Sequence, residues 1–156
     1  MAVNHVIEGS NPSDDVKLKN MNKMNSKEKG DTAEIKVLLY LKEKGHSVCI
    51  PFGDNNRYDL VFEEDKNFKK VQVKYVSLKN GCIVVPLSTT TRRAGKCRKL
   101  KYTNIEIDYF FVYCPQTEKI YSIPLEYLKL RNELTLRVES PKKRDKKINF
   151  ACNYEL

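Results

Sequence analysis

The chain has 156 residues, with 29 lysines and arginines against 20 acidic residues, and its formal net charge is +9 at pH 7. This length suits one domain with one core. No apolar run approaches the roughly 20 residues of a membrane span, and five scattered cysteines without a CxxC pair argue against a structural zinc site. We therefore expect a cytoplasmic protein with a polyanionic partner and no membrane partner, nucleoid-associated in a prokaryote or its organellar or phage-encoded equivalent.

The first predicted element is a helix over residues 26–44 that ends at Gly45, after a polar and flexible leader over residues 1–25. At 100° per residue, Glu34 projects into the middle of the helix's apolar stripe and should point toward the sheet. Glu34 is interpreted either as a boundary glutamate that the helix dipole favours or as an inward-facing functional carboxylate. The stripe consists of Ala33, Val37, Leu38 and Leu41.

A hairpin is predicted next, because two alternating runs, residues 58–62 and 70–76, flank the polar residues 63–69. If the turn centres on residues 65–66, Asp59 falls opposite Gln72, and Gln72 and Lys74 share one face of the sheet. An acid, an amide and an ammonium group then lie side by side among apolar residues. Burying charge is costly unless it is paired or binds a metal, and metal-assisted phosphodiester hydrolysis would account for this arrangement.

The positive charge is concentrated in residues 66–105, which contain eleven lysines and arginines and no acid. Within this stretch, residues 88–103 carry four consecutive hydroxyl residues followed by six basic ones. Hydroxyls, lysine and arginine are the usual phosphate contacts, although charge runs are often only solvated loops. The predicted DNA contacts are Arg57, Arg92, Arg93, Lys96, Arg98, Lys99 and Lys101.

Further strands are predicted at residues 46–50, 82–87, 107–114, 120–123 and 135–138, with a short helix that opens at Pro124. The strand at residues 107–114 is almost wholly apolar, as expected of a central buried strand. The domain is predicted to cover residues 26–140. Residues 141–156 are predicted to form a basic tail, whose cluster at 141–147 could touch DNA or merely solubilise the chain.

The order of Glu34, then Asp59 in RYDLV, then Gln72-Val73-Lys74 and a basic segment resembles the PD-(D/E)xK nuclease superfamily. The resemblance covers roughly residues 26–127 and is greatest to group I intron homing endonucleases, which carry QxK in place of (D/E)xK. It implies an α/β, restriction-endonuclease-like core in which helices flank a mixed central β-sheet. Two departures are Tyr58, at the position of the motif's proline, and the neutral Gln72, which removes one negative charge from the site.

The resemblance also implies roles for the site residues in an Mg²⁺-dependent endodeoxyribonuclease, with Mn²⁺ as a substitute ion. Asp59, Gln72 and the carbonyl of Val73 would bind the metal, and Glu34 would hold a second ion or a metal-bound water. Lys74 would orient the attacking water or neutralise charge in the transition state. Cutting both strands of duplex DNA would call for a homodimer or homotetramer.

Three other functions remain open at this point. A Holliday junction resolvase would use the same catalytic residues on a branched substrate. A catalytically silent nucleic-acid-binding module could retain the fold, and the neutral Gln72 gives that reading some weight. A small structural basic protein fits less well, because pure RNA binders do not need carboxylates such as Glu34 and Asp59 near the core.

Overall fold

A five-stranded mixed sheet forms the centre of the protein in the computed structural model. The structure describes residues 16, 23–53, 55–93, 95–128, 131–139 and 148–156, with the backbone alone at 92 and 93. In the sheet, β3 (Asn67–Tyr75) and β7 (Tyr109–Cys114) are parallel, and the other neighbouring strands are antiparallel. The predicted α/β fold with a mixed central sheet is confirmed, with one α-helix in the described part flanking it. The strands, in their order across the sheet, are β1 (Val48–Cys49), β2 (Leu60–Glu64), β3 (Asn67–Tyr75), β7 (Tyr109–Cys114) and β8 (Lys119–Pro124).

The helix, α1 (Ser26–Glu43), begins at a capping box formed by Asn25 and Glu28. The Asn25 side chain accepts hydrogen bonds from the backbone N–H groups of Lys27 and Glu28, and the Glu28 carboxylate accepts one from the Asn25 N–H. This reciprocal arrangement satisfies N–H groups that have no partner within the helix. Gly45 follows the helix at φ +83°, a conformation that glycine adopts without strain. No helix in the described part is long and apolar enough to cross a membrane.

The two faces of the sheet support separate apolar clusters. On one face, α1 packs with Ala33, Val37 and Leu41 against Val71 and Val73. On the other face, β4 (Cys82–Pro86) and β9 (Glu133–Arg137) form an antiparallel ribbon that covers the sheet. Strand β7 is buried on both sides, because its side chains alternate between the two clusters. The helix therefore lies on the face opposite to that of Gln72 and Lys74.

The hairpin of β2 and β3 has the register predicted from its turn. Leu60 pairs with Val71 and Glu64 with Asn67, so the turn centres on Asp65 and Lys66. Both turn residues have positive φ, 50° and 63°, which matches the twist that a two-residue hairpin loop requires. Because side chains alternate along a strand, this register puts Asp59 at the end of β2 beside the start of the Gln72–Lys74 face.

The basic segment is regular, because β5 (Ser88–Arg93) and β6 (Lys96–Lys101) pair as an antiparallel hairpin and not as a loop. Pro124 ends β8, and the predicted short helix is a 3-10 turn at Leu125–Leu128. Most of the predicted leader and the cluster at residues 141–147 lie outside the described residues.

Residues 148–156, assigned from the sequence to a tail, return to the sheet. Ala151 is buried, Ser122 N–H donates to Tyr154 O at 2.7 Å, and Leu156 N–H donates to Ile120 O at 3.0 Å. These bonds place residues 154–156 alongside β8 as a further extended segment, with Tyr121 bridged to Glu155. This part of the chain therefore packs as part of the domain.

Candidate active site

Asp59 lies at the centre of the site, one residue before β2 begins. Its backbone N–H donates to Val71 O at 2.8 Å, which continues the β2–β3 ladder to the end of the hairpin. Its Oδ2 accepts hydrogen bonds from Val73 N at 2.6 Å and from Gln72 Nε2. Burial raises the pKa of Asp59, while the Val73 hydrogen bond, the Lys74 charge and the Gln72 hydrogen bond lower it; the net shift is upward. The carboxylate is thus held rigidly where its charge is costly.

Lys74 lies next to Asp59 on the sheet face that is opposite to α1. Burial lowers the pKa of its ammonium group, the charge of Asp59 raises it, and the nearby Arg57 lowers it further. The Lys74 Nζ also lies 5.6 Å from the centre of the Tyr102 ring, within the range of a cation–π contact. A partly desolvated lysine of lowered pKa beside a partly buried carboxylate is the kind of perturbed pair that occurs at functional sites.

Glu34 approaches Asp59 from the helix side. Both residues line a cavity of about 190 Å³ together with Asp31 and apolar side chains of α1 and β2. Burial raises the pKa of Glu34, and the charges of Asp59 and Asp31 raise it further. Glu34 is half-buried and faces the sheet, as its position in the apolar stripe indicated. Because Asp59 sits at the end of a strand, it meets Glu34 on one side of the sheet and Gln72 and Lys74 on the other.

The Gln72 side chain connects Asp59 to an aromatic residue that the sequence did not single out. Its Nε2 donates to Asp59 Oδ2 and, at 3.3 Å, to the carbonyl oxygen of Val73. Its Oε1 accepts a hydrogen bond of 2.9 Å from the Tyr102 hydroxyl. Tyr102 follows β6 directly and packs edge-on against Phe110, with 5.1 Å between the ring centres.

Arg57 fixes this aromatic residue and the base of the basic hairpin. Its guanidinium lies 4.2 Å from the Tyr102 ring centre and donates to Lys101 O at 2.9 Å and to Glu106 Oε1 at 3.0 Å. Burial raises the pKa of Glu106, but hydrogen bonds from Thr103 and the Arg57 charge outweigh it, so the net shift is downward. The spacing Thr103-x-x-Glu106 has the form of a capping box, and this signal could have identified Glu106 from the sequence.

The profile of the PD-(D/E)XK endonuclease family matches residues 24–156. The chain belongs to this family. Its structure is similar to that of a bacterial homing endonuclease, I-Ssp6803I, with a TM-score of 0.71 and 27% sequence identity over 85% of this chain and 89% of that chain. No curated protein sequence matches the chain. The resemblance inferred from the order of Glu34, Asp59, Gln72 and Lys74 is therefore confirmed at the level of the family.

Endonucleases of this family generally use divalent metal ions. Within the described residues, no three His, Cys, Asp or Glu side chains converge closely enough to hold one. The oxygens that hydrogen bonds bring together are those of the Asp59 carboxylate and the Val73 carbonyl, which both accept from Gln72 Nε2, and the amide oxygen of Gln72 is a further candidate ligand that accepts from Tyr102. Mg²⁺ accepts such oxygens alongside several waters. The residues fit an ion of this kind, and Glu34 faces the same carboxylate from α1.

All but one of the residues predicted to contact DNA lie in the hairpin of β5 and β6, next to this endonuclease site; the exception is Arg57. The described cations of β6 are all exposed. Arg92 and Arg93 belong to β5, and nothing is described of their side chains. Arg57 differs from the others, because it holds Tyr102 and Glu106 within the site. The roles of all these residues in metal binding and DNA contact remain predictions. The exposed cations of β6 are Lys96, Arg98, Lys99 and Lys101.

Proposed function

We propose that this protein is a metal-dependent DNA endonuclease of the homing type, which hydrolyses phosphodiester bonds at specific sites in duplex DNA. The observation that carries the proposal is the position of Asp59, where a partly buried carboxylate meets Lys74 and Gln72 from one face of the sheet and Glu34 from the other. Membership of the endonuclease family and the similarity to a homing endonuclease support the reaction class.

In this proposal, Asp59, the Val73 carbonyl and Gln72 would hold a divalent cation, and Glu34 would supply a further carboxylate. The ion would supply Lewis acidity and lower the pKa of a bound water. Lys74 orients the attacking water by hydrogen bonding, or neutralises the charge that develops on the phosphate oxygens. Fixed charges of this kind contribute much of the rate enhancement in a site that excludes water.

The basic hairpin is proposed to hold the DNA backbone. Four exposed cations on β6 and the hydroxyl residues of β5 are suited to phosphate oxygens. The whole positive excess of the chain lies in residues 66–105, which include the hairpin and the site residues Gln72, Val73 and Lys74. A nuclease of this size that cuts both strands would act as a symmetric homodimer or homotetramer, so that each protomer addresses one strand.

Cleavage of plasmid libraries in Mg²⁺ or Mn²⁺ tests the proposal, with Asp59→Asn and Lys74→Met as the informative variants. Both should lose roughly a hundredfold or more of the cleavage rate while they retain DNA binding, because each removes a charge that acts on the reacting phosphate. The matched control is Lys69→Met. Lys69 lies five residues before Lys74 on β3, about 17 Å from it and on the opposite face of the sheet.

Metal-independent cleavage, or cleavage by Asp59→Asn at the parental rate, would refute the assignment. A four-way junction tested beside linear duplex shows which DNA the enzyme prefers. Preference for the junction would replace the homing assignment by that of a resolvase, and sequence-specific cutting of linear duplex would support it.

A further inference from the structure

A chain of hydrogen bonds runs from the basic hairpin to the proposed metal ligands. Thr89 of β5 shares a side-chain hydrogen bond with Tyr102. The Tyr102 hydroxyl donates to Gln72 Oε1, and Gln72 Nε2 donates to Asp59 Oδ2 and to the Val73 carbonyl. The bond between Tyr102 and Gln72 joins residues 30 positions apart, so this series of hydrogen bonds forms only because the basic hairpin is folded against the sheet.

The orientation of the Gln72 amide in this chain suits a site without a cation. Its N–H groups face the Asp59 and Val73 oxygens, and its oxygen faces away toward Tyr102. The amide NH₂ group has two N–H donors, so it can satisfy both oxygens when it lies between them. A cation that binds the same oxygens would be repelled by those N–H groups. For Gln72 to become a ligand, its amide must therefore reverse and present Oε1.

We propose that Tyr102 is a positioning residue that permits this reversal. A phenolic hydroxyl can donate and accept, so it can donate to Oε1 before the reversal and accept from Nε2 after it. The Thr89 hydroxyl has the same ability, and both hydroxyl groups can turn together, so that each orientation of Gln72 is fully hydrogen-bonded. The inference rests on the proposed metal dependence and concerns how this chain's own residues accommodate the ion.

The surroundings of Tyr102 hold its ring in place and keep its hydroxyl group protonated. Its ring is held by Arg57 at 4.2 Å and by the edge contact with Phe110 at 5.1 Å. Burial raises the pKa of the phenol most strongly, Arg57 lowers it, and Asp59 raises it, with a net upward shift. The hydroxyl thus keeps its proton at neutral pH. Replacement by phenylalanine would keep the ring contacts and leave the oxygen of the half-buried Gln72 amide unpaired before the reversal, but its N–H groups unpaired after it, which is the less tolerated of the two.

The test measures Mn²⁺ affinity by electron paramagnetic resonance, on the full chain, without DNA and without cleavage. Tyr102→Phe should weaken Mn²⁺ binding by roughly tenfold, the lower end of the cost of removing a partner of a metal ligand. In a Gln72→Ala background the same substitution should change the affinity by less than about twofold, since the group that Tyr102 positions is gone. Tyr109→Phe is the matched control, because its hydroxyl bonds Glu64 at 3.1 Å, away from the site.

Equal Mn²⁺ affinities in Tyr102→Phe and the parent protein would overturn the proposal. It would also be overturned if Tyr102→Phe lowered the Mn²⁺ affinity equally in the parent protein and in the Gln72→Ala background. A second readout is the side-chain amide resonance of Gln72 by NMR, which should move on addition of Mg²⁺ in the parent protein; an unmoved resonance contradicts the reversal. If the parent protein binds no Mn²⁺ at all, the proposed metal dependence fails as well. If Asp59→Asn abolishes the Mn²⁺ binding of the parent protein and Tyr102→Phe leaves it intact, this inference alone is wrong.

Discussion

Neutralising two cations on one face of the basic hairpin should flatten the salt dependence of DNA binding. Cross-strand partners share a face, and Thr89 pairs with Leu100. Lys96 and Arg98 therefore lie on the face that carries Thr89, which contacts Tyr102 beside the site. Lys99 and Lys101 lie on the other face. Because the scissile phosphate would sit at Asp59 and Lys74, the neighbouring phosphates should meet the Lys96 and Arg98 face first.

The size of the effect follows from counterion release. Each phosphate contact contributes about 0.9 to the slope of log K against log salt, so the double variant Lys96→Gln, Arg98→Gln should lower the slope by roughly 1.8. Over a fourfold rise in salt, the parent protein should then lose roughly 12-fold more affinity than the variant. Fluorescence anisotropy of a labelled duplex, titrated at several KCl concentrations without divalent ions, measures both quantities.

Two further double variants complete this experiment. Lys99→Gln, Lys101→Gln removes the same charge from the opposite face and should reduce the slope less. Lys66→Gln, Lys69→Gln removes it at the turn end of the β2–β3 hairpin, roughly 10–20 Å along the strands from Asp59, and should leave the slope unchanged. A slope for Lys96→Gln, Arg98→Gln that equals the parent's would refute the placement of DNA against this face.

The other predictions concern the helix that carries Glu34. The pKa of Glu34 is raised, so the folded protein binds the carboxyl proton of Glu34 more tightly than the unfolded chain does. The stability that this proton contributes is present below the ordinary pKa of glutamate and is lost as pH rises through the raised pKa. In metal-free buffer, Glu34→Gln should therefore be more stable than the parent protein to urea at pH 7, with a gap that closes below about pH 4; lower stability at pH 7 would contradict this. Asn25→Ala removes the helix cap and should cost about 1 kcal/mol of unfolding free energy, which is about 2–4 °C in melting temperature. Asn25→Asp should melt near the parent protein, and an unchanged melting temperature in Asn25→Ala would show that the capping box contributes nothing.

The hairpin that carries the site was predictable because its information is local. A polar turn between two alternating runs determines the register, and the register determines that Asp59 lies opposite Gln72. The inward placement of Glu34 followed equally from the apolar stripe of one helix. In each case, a few neighbouring residues contain the whole signal.

Other parts of the structure depend on contacts between distant residues. The hairpin of β5 and β6 has no apolar alternation, because the residues of β6 are exposed on both faces, and periodicity could not reveal it. The bond between Tyr102 and Gln72 joins residues 30 positions apart, and that between Arg57 and Glu106 joins residues 49 apart. The return of residues 148–156 to β8 was missed because these residues follow the basic cluster at 141–147 and were assigned to a tail with it, although six of the nine are apolar.

The backbone bonds of Tyr154 and Leu156 to β8 have a practical consequence for handling the protein. The outer edge of a sheet offers unpaired N–H and C=O groups to any other extended chain, and exposed edges promote aggregation. Residues 154–156 occupy those groups on Ser122 and Ile120, and Lys119 adds an ion pair of 2.7 Å with Glu155. Deleting these few residues, or displacing them with a fused partner, would expose the edge of β8, which β7 separates from β3 and its site residues. Loss of solubility in such a shortened protein would then say nothing about its catalytic competence.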